Sequence, residues 1–231
     1  MKILDRKRQY AAYFVLSLLA VSFTLAVFYF SETNFGKILG EFNPVVVICV
    51  SSVVGFIALW ALQRNYGFVI FKGWETLRGC GVSVVFATVL GVIIVIADLI
   101  LKYPQNINIQ PPAAFFFYPA IGFVAEIAFH VVPLTLLLFV LKPLSDRLGQ
   151  KRIVWLCILL VSSIEPTYHV LFTGYYFTWM NVYTWIHIFV ISLLQLYVFW
   201  KYDFVSMYLF RIFYYIYWHI VWGVIRLDVL F

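Results

Sequence analysis

The chain has 231 residues, of which 65% are hydrophobic and only 11% charged, with a formal net charge of +6. Soluble domains carry about 25% charged residues, so this composition excludes a water-soluble globular fold. The basic balance would suit nucleic acid in a soluble protein, but its distribution along the chain assigns it to membrane topology and not to nucleic-acid binding.

Runs of about 20 apolar residues, enough to cross about 30 Å of hydrocarbon, fall at 10–30, 45–63, 79–101, 113–141, 153–173, 178–200 and 205–226. They predict an all-α, polytopic membrane helical bundle of about seven transmembrane helices, forming a single integral membrane domain over 1–231. Twelve basic residues (Lys2, Arg6, Lys7, Arg8, Arg64, Lys72, Arg78, Lys142, Arg147, Lys151, Arg152 and Lys201) lie before the first run or in alternate loops. Only Lys37, Lys102 and Arg226 lie on the other side. This asymmetry places the N-terminus in the cytoplasm. A compact multi-pass chain without long loops fits a prokaryotic plasma membrane.

In chain order, the first run is too long for the apolar region of a signal peptide and reads as an uncleaved helix. The first two runs lack ionisable residues in their interiors, so 1–111 is expected to be scaffold. The stretch from Tyr66 to Arg78 mixes aromatic and basic residues and is expected on the cytoplasmic surface. Asp98, near the outer end of the third run, reads as interfacial. Tyr103 to Pro112 is polar and proline-rich and predicts an ordered external loop. Tyr175, Tyr176, Trp179, Tyr183, Trp185, Tyr197, Trp200 and Tyr202 form an aromatic belt at both ends of the sixth run. Cys49, Cys80 and Cys157 lack metal or redox spacing and read as packing residues.

Ionisable groups inside hydrocarbon are expensive and mark sites or proton paths. Here they are Glu126, His130, Glu165, His169, His187 and His219. Glu126 and His130 are four apart, as are Glu165 and His169, so each pair is expected to share a helix face. Counting depth at about 1.5 Å per residue puts Glu126, His169, His187 and His219 in the outer half of the bilayer, where one site could gather them. Tyr215, His219, Trp222 and Gly223 fall on one stripe of the last helix. Pro166 predicts a bend beside Glu165, and Pro119 and Pro133 bracket Glu126 and His130. Arg211, near the cytoplasmic end of its helix, reads as a snorkelling structural residue, and His187 as a helix tether.

Phe123-Val124-Ala125-Glu126-Ile127-Ala128-Phe129-His130 resembles the Glu-Glu-x-x-x-Arg motif of the CAAX protease and bacteriocin-processing (CPBP) family of glutamic-type intramembrane proteases. Ser162-Ser163-Ile164-Glu165-Pro166-Thr167-Tyr168-His169 resembles its Phe-x-x-x-His motif, and His219 to Gly223 its His-x-x-x-Asn motif. Ala125, His130, Glu165 and Gly223 stand where the family has Glu, Arg, Phe and Asn. The resemblance covers 112–231 and marks that half as a CPBP-like core. It implies an intramembrane endopeptidase without a cofactor that hydrolyses a peptide bond of a membrane protein or peptide. Glu126 would activate water, His169 share its proton and His219 stabilise the oxyanion, with His130, Glu165, Tyr215 and Gly223 in support. Two other readings stand beside it: a catalytically inactive membrane scaffold or chaperone of the same fold, and a zinc-dependent membrane protease with His130, His169 and His219 as ligands.

Overall fold

The computed structural model describes residues 3–30, 35–172 and 178–231. Lys2 of the basic N-terminus and Tyr175 and Tyr176 of the aromatic belt lie outside the described residues. Among the described residues all regular structure is helical. The elements are α1 (Ile3–Phe30), α2 (Gly36–Leu39), α3 (Pro44–Tyr66), α4 (Trp74–Leu101), α5 (Ala114–Ala125), α6 (Val132–Val140), α7 (Lys142–Leu148), α8 (Gln150–Val161), α9 (Ile164–Phe172), α10 (Trp179–Lys201), α11 (Phe204–Tyr215) and α12 (Trp222–Leu230). A hydrocarbon solvent offers no partner to a free N–H or C=O, so apolar runs of this length close their hydrogen bonds within each helix. Their ends carry caps: Asn43 accepts from Val45 and Val46 at the start of α3, and Asp203 from Ser206 at the start of α11.

Among the described residues, six helices are long and apolar enough to cross a membrane, which makes this a multi-pass membrane protein set in a lipid bilayer. The expected seventh does not meet that measure. The helical run from Phe204 to Leu230 is as long, but Arg211, His219, Arg226, Asp228 and many Tyr and Trp side chains lower its apolarity. It packs inside the bundle instead, with α11 along α4 and α10, while α1 packs on α3 and α5. Small residues permit the close approach. A Cβ added at Gly91 would lie 2.8 Å from the Cβ of Tyr217, so α4 touches the last helix there almost backbone to side chain.

Two spans contain a π-helical turn, Glu126–Val131 between α5 and α6 and Ile216–Val221 between α11 and α12. In the first, Pro133 has no N–H to offer the carbonyl four residues back, and the Val132 N–H bonds to the Ile127 carbonyl five back. In the second, the Trp222 N–H bonds to Tyr217. The bend expected at Pro166 lies just before it, at Ser162 and Ser163 between α8 and α9, because Pro166 cannot donate to the Ser162 carbonyl.

The stretch 67–73 is less superficial than expected. Phe68 and Ile70 are buried in the core, and the Val69 and Ile70 carbonyls accept from Phe204 and Val205. The main apolar core gathers Phe117, Phe123, Val131, Phe199, Phe204 and Met207 with Tyr13 and Leu59 of the first helices. The described N-terminal helices thus wall the same core that holds the polar residues.

Candidate functional site

Arg211 is not a snorkelling residue. α11 enters the bundle between α4 and α10, which carries the guanidinium to the interior, where Arg211 is buried. Its Nε donates to Glu126 Oε1 (2.5 Å), and Nη1 and Nη2 donate to Glu165 Oε1 and Oε2 (2.7 and 2.8 Å), a two-pronged clamp. Nη1 also donates to the Tyr215 hydroxyl (3.1 Å) and Nη2 to Gln195 Oε1 (3.3 Å). All of the five guanidinium donors are therefore directed to acceptors. An arginine is always charged, so its burial between two carboxylates follows from electrostatics: an isolated buried ion costs several kcal/mol.

The carboxylates complete the cluster from separate helices. The Glu126–His130 pair forms as the four-residue spacing predicts, with His130 Nδ1 at 2.6 Å from Glu126 Oε2. His130 Nε2 lies 3.5 Å from Glu165 Oε2, and Ser192 Oγ donates to the same oxygen (3.3 Å). Gln195 donates a very short hydrogen bond to Glu126 Oε1. Glu126 is fully buried, and both of its oxygens accept donors.

The second expected pair divides. Glu165 is buried on the clamp, whereas His169 is exposed, one turn further along α9. Four residues rotate a helix by about 40° more than a full turn, enough to carry the imidazole past the edge of the buried face. His169 nevertheless lies within electrostatic range of Glu165, Arg211 and His219. Trp185 of α10 donates its indole N–H to Thr167 (3.2 Å), and Phe129 packs on Tyr168 with ring centroids 5.1 Å apart, which fixes this face of α9.

His219 has a partner that sequence reasoning missed. Its Nδ1 lies 2.6 Å from the side-chain oxygen of Asn108, in the loop between α4 and α5. A carboxamide oxygen only accepts, so Nδ1 carries the proton and the neutral ring keeps its lone pair on Nε2. The ring stacks on Tyr118 at 4.5 Å and meets the Tyr215 ring at 5.0 Å. Asn108 Nδ2 is buried and has no hydrogen-bond partner among the described residues. Gly223 makes this possible: a Cβ there would sit 3.0 Å from that nitrogen. Gln110 donates to the Gly223 carbonyl (3.2 Å), and the Tyr118 hydroxyl accepts from the Ile109 N–H (2.9 Å), so the loop is tied down over His219. The only signal for this in the sequence is a polar loop beside a helix bearing His and Gly.

The stripe expected on the last helix splits at its π-turn. Tyr215, His219 and Gly223 face this site, whereas the Trp222 indole donates to Asp98 Oδ2 (2.7 Å). Asp98, near the end of α4, is fully buried, where Arg226 pairs with it through Nε (2.7 Å) and Nη2 (3.0 Å). Arg226 also donates to the carbonyls of Tyr103 (2.6 Å), Pro104 (2.9 Å) and Gln105 (3.4 Å). His187 lies in neither cluster; its Nε2 bonds to the Tyr214 hydroxyl (3.0 Å) and its ring stacks on Tyr183.

Among the described residues no group of three or more His, Cys, Asp or Glu is placed to hold a metal ion. The histidines of the zinc alternative face different partners: His130 turns Nδ1 to Glu126, His219 turns Nδ1 to Asn108, and His169 is exposed. Comparison with known protein families, with curated proteins and with solved structures gives no match.

Proposed function

We propose that this chain is an intramembrane hydrolase of a prokaryotic plasma membrane that cuts a peptide bond of a membrane protein or peptide, as a divergent relative of the CPBP family. The observation that carries the reading is His219: an imidazole inside a membrane bundle, oriented by Asn108 with Nε2 left for a proton, and within electrostatic range of a second imidazole, His169. In this reading water attacks the scissile carbonyl carbon while His219 Nε2 takes its proton. The unpartnered Asn108 Nδ2–H donates to the oxygen on which negative charge develops. His169, carrying a proton at the outset, gives it to the leaving nitrogen as the C–N bond breaks, and the proton taken up by His219 then passes through water to restore His169. Glu126, whose oxygens are all occupied, serves to hold Arg211 and His130, and Arg211 in turn fixes Glu165 beside His169.

The closed state of the Arg211 cluster favours a second reading, a scaffold that has kept the fold without the chemistry. Comparing membrane peptides from cells carrying the wild-type chain and the His219→Ala variant at equal expression separates the two. Hydrolysis predicts cleavage products found only with the wild type; identical peptide profiles would leave the scaffold.

A further inference from the structure

A second constellation lies at the opposite end of α8, well away from the histidines. α7 ends at Gly149, whose φ of +87° turns the chain sharply into α8. At this turn Leu148, Gly149, Lys151, Arg152 and Trp155 line a shallow, open groove of about 510 Å³. Neither Lys151 nor Arg152 forms an ion pair with any described residue, and both are exposed. The wall behind them is aromatic. Trp155 stacks on Tyr197 of α10 at 6.1 Å and meets Trp200 edge-on at 5.2 Å. Lys201 adds a third cation, its Nζ 5.4 Å from the Tyr197 ring centroid and bonded to that hydroxyl at 2.9 Å. Below this ring of polar groups the outer face of α8 is apolar, with Leu156, Leu159 and Leu160 exposed.

Two exposed cations, an indole at the start of a membrane span and an apolar strip leading into the hydrocarbon complement one class of molecule. It has a negatively charged head at the membrane surface and acyl chains below it. We propose that Lys151, Arg152, Trp155 and Leu148 form a binding site for an anionic phospholipid of the cytoplasmic leaflet. The two cations hold its phosphate, and Trp155 and the α8 leucines hold its glycerol and acyl chains. A zwitterionic lipid would bring a second positive group against Lys151 and Arg152 and is disfavoured. Lys151 and Glu165 are 14 residues apart on one span, roughly 20 Å at the helical rise, so this site does not depend on the hydrolase reading.

The test is native mass spectrometry of the full-length protein released from bilayers of equal parts phosphatidylglycerol and phosphatidylcholine. The wild type is expected to retain one phosphatidylglycerol per chain in preference to phosphatidylcholine. Lys151→Gln/Arg152→Gln should reduce that retention at least fivefold, and Trp155→Ala should reduce it with no change in charge. Lys142→Gln/Arg147→Gln, which removes the same charge outside the groove, should leave it unchanged. Equal loss in both double variants would overturn the site in favour of diffuse surface charge. Complete displacement of the lipid by millimolar inorganic phosphate would overturn it in favour of a soluble anion.

Discussion

Arg211 and Arg226 are both buried in the bundle with carboxylates beside them, yet their surroundings leave different things over. Arg226 spends its donors on Asp98 and on three successive backbone carbonyls, while Trp222 and the Tyr103 N–H occupy the same carboxylate. That cluster is a clasp that closes the loop between α4 and α5 onto α4 and α12. Arg211 instead joins two carboxylates from two helices, with an imidazole between them whose Nε2 has no hydrogen bond within normal reach. Next to it stand an exposed histidine and an oriented one, and at Asn108 an amide nitrogen without a partner among the described residues. A buried ion pair whose donors and acceptors are all matched stabilises a fold. Among the described residues, the buried side-chain nitrogens without a hydrogen-bond partner are His130 Nε2, beside the Arg211 cluster, and Asn108 Nδ2, beside His219, and such groups are what the hydrolase reading calls for.

The comparison breaks most sharply at His219. If the centre is hydrolytic, His219→Ala should lower cleavage per folded molecule by about 10²–10⁴-fold, whereas an Arg226→Met chain that still folds should retain the wild-type cleavage rate per folded molecule. An equal loss of rate in both would erase the distinction. Next in size, Arg211→Met and Arg226→Met should each cost about 3–5 kcal/mol, because each strands buried carboxylate charge; denaturant titration in detergent reads this directly. The two clusters should then part company on rescue. Asp98→Leu with Arg226→Met removes both charges of a single pair and should recover more than half of the loss. Glu165→Leu with Arg211→Met leaves Glu126 beside His130 alone and should recover less.

Smaller effects sharpen the picture. Gly223→Val should crowd Asn108 and cost about 1–3 kcal/mol as an overpacked contact, and the hydrolase reading adds a cleavage defect larger than the loss of folded protein accounts for. His187→Phe keeps the stack on Tyr183 and loses one hydrogen bond to Tyr214, so about 1 kcal/mol is expected, with no change in cleavage.

Local rules read the local parts of this protein. Apolar runs located the described spans to within a few residues, and the four-residue spacing found the Glu126–His130 contact. The same spacing misled at Glu165 and His169, since periodicity alone does not say where a buried face ends. The stripe on the last helix failed for a related reason: a π-turn changes the angular register, and no residue pattern in Ile216–Val221 announces it. Asn108 and Gln195 carried no signal, because their partners lie 111 and 69 residues away.

What the sequence by itself determined is therefore the solvent and the secondary structure: a chain this apolar must lie in lipid, and in lipid its backbone must close on itself as helices. It also determined which ionisable residues need partners, because burial without one costs too much for a fold to carry. Tertiary structure alone decided who those partners are. Helix packing, made close by residues such as Gly91, brought Arg211 between Glu126 and Glu165, Arg226 onto Asp98, and a loop asparagine onto His219. The physical reason is range: hydrogen bonds and ion pairs act over about 3–4 Å, and only the packed bundle brings residues so far apart in the chain within that distance.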